Sequence, residues 1–121
     1  MIMPDPKAAQ ELVSPPRTSG DAILLSISGD IDLHNSPELR TAIFQAMSGR
    51  PPKKFVLNLQ RVSYMDSSAV AVLVELLQKM RPLGGRVFLV ETQPRVRGLL
   101  EIARLNSIFI LSATEEEALA K

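Results

Sequence analysis

Short apolar runs alternate with longer amphipathic stretches along the chain. The run at 22–28 is apolar at every second position and ends at Gly29, which predicts a strand with one well-buried face. The runs at 55–59 and 86–90 are apolar at almost every position, a pattern typical of strands covered on both faces. The pattern as a whole predicts strands at 11–14, 22–28, 55–59, 86–90 and 108–111.

The stretches between and after these strands predict helices. Ser36 followed by Pro37 is typical of a helix start, with Ser36 as the N-cap and Pro37 at the first helical position. The stretch 69–80 is apolar around most of its circumference, so this helix is expected to be largely buried. The predicted N-caps of the remaining helices are Asp66 or Ser67, Thr92, and Thr114 in a capping box with Glu117.

Alternating strands and helices indicate an α/β fold. The expected architecture is a mostly parallel or mixed sheet of four to five strands, covered by about four helices. A chain of 121 residues has room for one hydrophobic core. Segment 1–10 is proline-containing and is predicted to be a flexible tail, so a single domain is expected to span 11–121, with its edge strand ending at Pro15.

Composition narrows the classes of function. Lys and Arg total 14 and Asp and Glu total 13, a balance that disfavours direct binding to nucleic acid as the main task. The chain has no Cys, which excludes disulfides and thiol chemistry. No signal peptide is visible, and the longest apolar run, 69–77, is far shorter than the roughly 20 residues of a membrane span. A soluble, cytoplasmic protein is therefore expected.

The sequence lacks the motifs of common enzymes. It has no Gly-x-x-x-x-Gly-Lys loop, no Gly-x-Gly-x-x-Gly loop and no Gly-x-Ser-x-Gly elbow. His34 is the single His and would have to come from a distant loop to serve Ser67 as a base. Asp30 and Asp32 have no third ligand in sequence for a hard cation. We therefore expect no catalytic residue, no metal site and no cofactor.

The segment Tyr64–Ala69 places small polar residues between a central strand and a buried helix. Such a position lies at the carboxyl edge of the sheet, where α/β folds bind their partners. One interpretation is structural, with Asp66 or Ser67 acting only as the N-cap. The other is regulatory, because a phosphate on Ser67 would meet unpaired backbone N–H groups and the positive end of the helix dipole.

Several motifs together resemble the bacterial anti-sigma factor antagonists, which are members of the STAS domain family. The similarity runs from about Ala22 to the end of the chain and is carried by the following segments: Gly29-Asp30-Ile31-Asp32, Phe55-Val56-Leu57-Asn58-Leu59, Val62-Ser63-Tyr64-Met65-Asp66-Ser67-Ser68 and Leu83-Gly84-Gly85. The resemblance implies a STAS-type domain and a regulatory binding protein in place of an enzyme. It also implies partner switching, in which an anti-sigma factor with serine kinase activity binds the dephosphorylated form and a serine phosphatase restores it.

The resemblance also assigns roles to residues. Ser67 occupies the position of the phosphorylated serine, and Ala69 replaces the Gly that usually follows Asp-Ser-Ser in the family. An Ala methyl would stand where a partner's backbone approaches. The residues expected to contact the partner are Asp30, Asp32, His34, Asn35, Asp66, Ser68 and Ala69.

Two alternative functions are also compatible with the sequence. A non-switching STAS scaffold subunit of a stress-signalling or lipid-transport complex would use Asp66-Ser67-Ser68 only as a cap. A hydrolase with Ser67 as nucleophile would need a base that the sequence does not supply nearby. Exposed edge strands in such a small domain permit a monomer or a weak dimer.

Overall fold

The structure, a computed structural model, describes residues 12–121. The predicted tail at 1–10 lies outside the described residues. Within the described part the strands and helices follow one another in this order: β1 (Arg17–Ser19), β2 (Ala22–Ser28), α1 (Ser36–Met47), β3 (Lys54–Arg61), α2 (Ser67–Met80), a 3₁₀ turn (Arg81–Leu83), β4 (Arg86–Val90), α3 (Pro94–Ile102), β5 (Ile110–Ser112) and α4 (Glu115–Ala120).

The five strands of the described residues form one mixed sheet in the order β1-β2-β3-β4-β5. β1 is antiparallel to β2, and the later neighbours are parallel to each other. Each parallel strand therefore lies beside its predecessor, and the crossover between them carries a helix. The predicted α/β architecture is confirmed.

Side chains alternate between two cores across this sheet. Leu25, Leu57, Leu89 and Leu111 are aligned across β2–β5 and face the larger core, which contains buried residues of α1, α2 and α3. The intervening row includes Val56 and Phe88 and faces a smaller core closed by α4. Both faces of β3 are thus covered, as its nearly continuous apolar run predicts.

The edge of the sheet differs from the predicted strand at 11–14. Val13 forms an isolated antiparallel bridge with Ile27, and the regular edge strand is β1 instead. Pro15 and Pro16 separate the two pieces, because proline cannot donate a backbone hydrogen bond to a ladder.

Other boundaries differ by one or two residues, as at both ends of β3. The N-cap of α1 is Asn35 instead of Ser36, and the N-cap of α3 is Gln93 instead of Thr92. The last strand begins at Ile110, since the N–H groups of the two residues before it both donate to the Leu105 carbonyl and close a turn. The predicted cap of α4 is confirmed, because Thr114 Oγ1 accepts from the Glu117 N–H at 3.1 Å.

Helix α2 is buried along most of its length, as predicted, and ends before a tight turn. Gly84 follows the 3₁₀ turn with a φ of 72°, a left-handed conformation that glycine adopts without steric cost. No helix within residues 12–121 has both the length and the apolar character needed to cross a membrane.

The smaller core offers a direct test of this packing. Phe88 is its largest side chain and is fully buried, so Phe88→Ala should lower the free energy of unfolding by about 3 kcal/mol or more. Ile102 is 85% exposed, so Ile102→Ala should change it by less than about 0.5 kcal/mol. Urea denaturation followed by circular dichroism measures both values, and equal losses would contradict the assignment of this second core.

Candidate functional site

Two segments meet at the carboxyl edge of the sheet, beyond the ends of β2 and β3. Ile31 and Met65 form a parallel bridge that continues the pairing of these strands. The Ile31 N–H donates to the Tyr64 carbonyl at 3.0 Å, and the Asp66 N–H donates to the Ile31 carbonyl at 3.0 Å. The loop at 30–35 is therefore held against the start of α2.

Asp66 is the N-cap of α2 and also contacts the neighbouring loop. Its Oδ1 accepts from the backbone N–H groups of Ser68 at 2.9 Å and Ala69 at 3.3 Å. The Ser68 hydroxyl donates to the same oxygen. Its Oδ2 accepts from the Leu33 N–H at 3.0 Å. One carboxylate thus caps the helix and fixes the loop, which decides the open choice between Asp66 and Ser67 as the cap.

The hydrogen bonds to Asp66 favour its ionised form. The pKa of the carboxyl is lowered, first by the Ser68 hydroxyl and then by the backbone N–H groups of Ala69, Ser68 and Leu33, against a smaller opposing effect of burial. The group therefore carries a full negative charge at neutral pH.

Ser67 is the first residue of α2, and its side chain is exposed. Its hydroxyl has no hydrogen-bond partner within the described part of the chain, so the oxygen is accessible to a second protein. The expectation of unpaired N–H groups around it is wrong for the three residues that follow, although the N–H of Ser67 itself makes no hydrogen bond within the described residues. The N–H groups of Ser68 and Ala69 already bind the Asp66 side chain, and that of Val70 binds the Asp66 carbonyl.

Ser68 and Ala69, the two residues after Ser67, stabilise the helix start and the core. Ser68 is half-buried and its hydroxyl is committed to Asp66. Ala69 is fully buried in the larger core. The expectation that its methyl faces a partner is therefore wrong, because the side chain at this position of the helix turns inward.

The loop residues predicted at this edge hold their own turn in shape. Asp32 Oδ1 accepts from the His34 N–H at 2.8 Å, and Asn35 Oδ1 accepts from the Asp32 N–H at 2.9 Å. Asn35 Nδ2 donates to the Asp30 carbonyl at 2.9 Å, while Asp30 Oδ1 accepts from Ser63 Oγ at 2.6 Å. The side chains of Asp30, Asp32 and His34 are exposed, whereas Asn35 is half-buried.

Leu33 is a residue of this edge that the sequence pattern places wrongly. Alternation with the buried Ile31 predicts that Leu33 turns inward, yet it is 75% exposed. The alternation stops because the Asp32 carbonyl accepts from the N–H groups of Asn35 and Ser36, which closes a turn. The sequence signal that could have indicated an exposed Leu33 is an apolar residue between two polar ones, after the end of a strand and just before a helix cap.

Asn58 is the middle residue of the Leu-Asn-Leu motif in β3. Its side chain lies on the face of the sheet opposite to that of Leu57 and Leu59, which face the larger core. Its Nδ2 donates to Glu91 Oε2 at 2.9 Å and to Glu115 Oε2 at 3.0 Å. Arg17 donates to the same Glu115 carboxylate at 2.6 Å, and this bond is the main reason why the pKa of Glu115 is lowered. Asn58 therefore links β3 to α4, a structural role that the motif alone does not reveal.

The loop at 30–35 and the first turn of α2 carry the carboxylates of Asp30, Asp32 and Asp66 and no Lys or Arg. Glu75, further along α2, is paired with Arg40. No group of three or more His, Cys, Asp or Glu side chains within residues 12–121 is arranged to hold a metal ion. The edge thus presents the Ser67 hydroxyl, three carboxylates and the exposed side chains of Leu33 and Tyr64.

The chain matches the model of a known domain family. The STAS domain family matches residues 15–118, which include all of the regular strands and helices of the described part except the last two residues of α4. The chain belongs to the STAS domain family. The resemblance predicted from the motifs is confirmed.

Regulators of sigma factors are among the relatives of this STAS domain. The anti-sigma-B factor antagonist of Bacillus subtilis is 30% identical over 94 residues, a match that covers 78% of this chain and 84% of the relative. The anti-sigma F factor antagonist of Lysinibacillus sphaericus is 25% identical over 99 residues, or 82% of this chain and 84% of the relative. This STAS domain is thus similar to regulatory binding proteins.

Solved structures share the fold. An anti-sigma factor antagonist from Mycobacterium paratuberculosis has a TM-score of 0.79 and 24% identity, covering 89% of this chain and 92% of that chain. The unphosphorylated form of the antagonist SpoIIAA has a TM-score of 0.70 at 23% identity, covering 89% of this chain and 94% of that chain. The phosphorylated form of SpoIIAA from Bacillus has a TM-score of 0.68 at 23% identity, covering 88% and 96%.

The double role of Asp66 predicts a pH-dependent contribution to stability. Asp66→Ala should lower the Tm of this STAS domain by about 5 °C at pH 7, because it removes the cap of α2 and the acceptor for the Leu33 N–H. Since the folded pKa lies below the ordinary value of 3.8, the stabilisation is complete above about pH 4 and is lost as the pH falls through the folded pKa.

Thermal melts at pH 7 and at pH 2–3 measure this difference. Asp21→Ala is the matched control, since the exposed Asp21 carboxylate lies 4.0 Å from Lys53 at the other edge of the sheet. A deficit for Asp66→Ala that stays constant down to pH 2 would contradict an ionised cap.

Proposed function

We propose that this chain is an anti-sigma factor antagonist that works by partner switching, with Ser67 as the regulatory phosphorylation site. In its dephosphorylated form it binds an anti-sigma factor that has serine kinase activity, and so releases a sigma factor. Phosphorylation of Ser67 ends this binding, and a serine phosphatase reverses it. The partner surface comprises Asp30, Asp32, His34 and Asn35 together with Asp66 and Ser67.

The observation that carries the proposal is the exposed hydroxyl at the start of a capped, buried helix. Ser67 projects from the carboxyl edge of the sheet, while the neighbouring hydroxyl of Ser68 is committed to Asp66. A kinase can therefore reach one hydroxyl without unfolding the helix. The relatives named as antagonists, and a solved phosphorylated form of SpoIIAA, support the same proposal.

The geometry also explains how a phosphate would act. A phosphoserine adds roughly two negative charges, and the N–H groups of Ser68 and Ala69, which could help to neutralise them, are bound to Asp66 already. The new charge therefore lies next to the Asp66 carboxylate and faces outward. A partner that fits the unmodified edge would have to desolvate or neutralise this added charge, so its affinity should fall.

The hydrolase alternative lacks support at this site. A serine nucleophile needs a hydrogen-bonded base, and within the described residues the Ser67 hydroxyl has no such partner. His34 contributes its backbone N–H to Asp32, and its ring makes no hydrogen bond to Ser67.

Phosphate transfer tests the first half of the proposal. The chain is incubated with ATP and each anti-sigma factor of its own organism, and the phosphate is located by mass spectrometry. One phosphate is expected on Ser67, none in Ser67→Ala, and an undiminished phosphate on Ser67 in Ser68→Ala, because the Ser68 hydroxyl already donates to Asp66. Modification elsewhere, or none with any of these factors, would favour the non-switching scaffold.

Binding measurements test the second half. Ser67→Ala should bind the anti-sigma factor as tightly as the unmodified chain and stay bound in the presence of ATP. Ser67→Asp should bind at least about tenfold more weakly, because it places a permanent charge at the interface. Isothermal titration calorimetry compares the two variants, and equal affinities would speak against a charge-based switch.

A further inference from the structure

Leu33 is the apolar residue that stands out at the carboxyl edge. It is 75% exposed and lies between Asp32 and His34, whose side chains are also exposed. An isolated exposed Leu needs no explanation in most proteins. Here, however, three hydrogen bonds of 2.8–3.0 Å hold the backbone at this point. The acceptor of one of them is Asp66, the residue that precedes Ser67.

These bonds fix where the side chain stands. The Leu33 N–H donates to Asp66 Oδ2 at 3.0 Å, and the next N–H, that of His34, donates to Asp32 Oδ1 at 2.8 Å. The Asp32 N–H donates to Asn35 Oδ1 at 2.9 Å. An apolar side chain on a backbone that is already ordered loses little conformational entropy when a partner covers it. Such preorganised residues make efficient anchors at interfaces.

The surroundings of Leu33 indicate the chemistry of what covers it. Three carboxylates lie close to it: Asp32 precedes it in the chain, Asp66 accepts from its N–H, and Asp30 belongs to the same loop. A complementary surface therefore needs an apolar pocket with basic side chains around its rim. A second copy of this chain would bring the same carboxylates to the contact, and like charges would oppose that pairing.

We propose that Leu33 is the apolar anchor of the surface that binds the anti-sigma factor, inserting into a basic-rimmed pocket of that protein. This inference rests on the proposed function and deepens it. Asp66 connects the two parts of the surface, because the same carboxylate holds the Leu33 backbone and caps the helix that presents Ser67. The anchor and the phosphorylation site are therefore presented as one rigid unit.

The test uses the anti-sigma factor that phosphorylates the full-length chain. Leu33→Ala should weaken its binding about tenfold or more, since most of a Leu side chain is withdrawn from water in the complex. In the kinase reaction it should raise KM by a similar factor and leave kcat unchanged, because the Leu33 side chain binds the kinase but takes no part in the phosphate transfer. The Tm should not change, because the side chain is exposed.

Leu83→Ala is the matched control. Leu83 is 55% exposed in the 3₁₀ turn that follows α2, about 20 Å along the helix from Ser67. This variant should bind within twofold of the unmodified chain. Leu33→Asn, which keeps a side chain of similar size but is polar, should bind as weakly as Leu33→Ala.

Each result decides between the two proposals. Equal binding by Leu33→Ala and the unmodified chain, with Ser67 still phosphorylated, would overturn the anchor and leave the proposed function standing. If the unmodified chain binds no anti-sigma factor, both proposals fail. A concentration-dependent dimer in sedimentation velocity that Leu33→Ala abolishes would identify a second copy as the occupant, and would also overturn the inference.

Discussion

The candidate site depends on one carboxylate. Asp66 accepts hydrogen bonds from the first turn of α2 with one oxygen and from the Leu33 N–H with the other. A group with a single oxygen acceptor could satisfy the helix or the loop, but not both in this geometry. The charge also complements the positive end of the α2 dipole, which helps to keep the carboxyl ionised. The same carboxylate therefore stabilises the start of α2 and fixes the shape of the proposed partner surface.

The sheet determines where this carboxylate stands. Sequential parallel strands direct all of their carboxyl ends to one edge, so the loop after β2 and the loop after β3 become neighbours. The Ile31–Met65 bridge extends the pairing beyond the strands and brings both loops into register. Helices α1, α2 and α3 pack on a single face, which leaves the edge itself uncovered by regular structure. A rigid scaffold thus presents a small, open surface.

Most of the strands and helices could be predicted from the sequence, because each is determined by residues that are close together in the chain. The continuous apolar run of β3 predicts a strand covered on both faces, and Asp66-Ser67-Ser68 before an apolar stretch predicts the start of a buried helix. The sequence leaves the cap of α2 open, since Asp66 and Ser67 both carry an oxygen that can accept from the first turn. The hydrogen bond between the Leu33 N–H and Asp66 escapes a local pattern because the two residues are 33 positions apart. The partners of Asn58 are also distant, at Glu91 just after β4 and at Glu115 in α4.

The cap of α2 changes how a phosphate at Ser67 is understood. The sequence alone predicts that the helix start neutralises an anion with unpaired N–H groups, which would draw the phosphate inward. In the structure the N–H groups of Ser68 and Ala69 are occupied by Asp66, so an added phosphate has little to bind beyond the N–H of Ser67 itself and the helix dipole. It remains on the surface, next to the Asp66 carboxylate. Under the proposed function, a charge that the domain itself does not neutralise must be neutralised by the partner, so a phosphate on Ser67 alone would be enough to weaken binding.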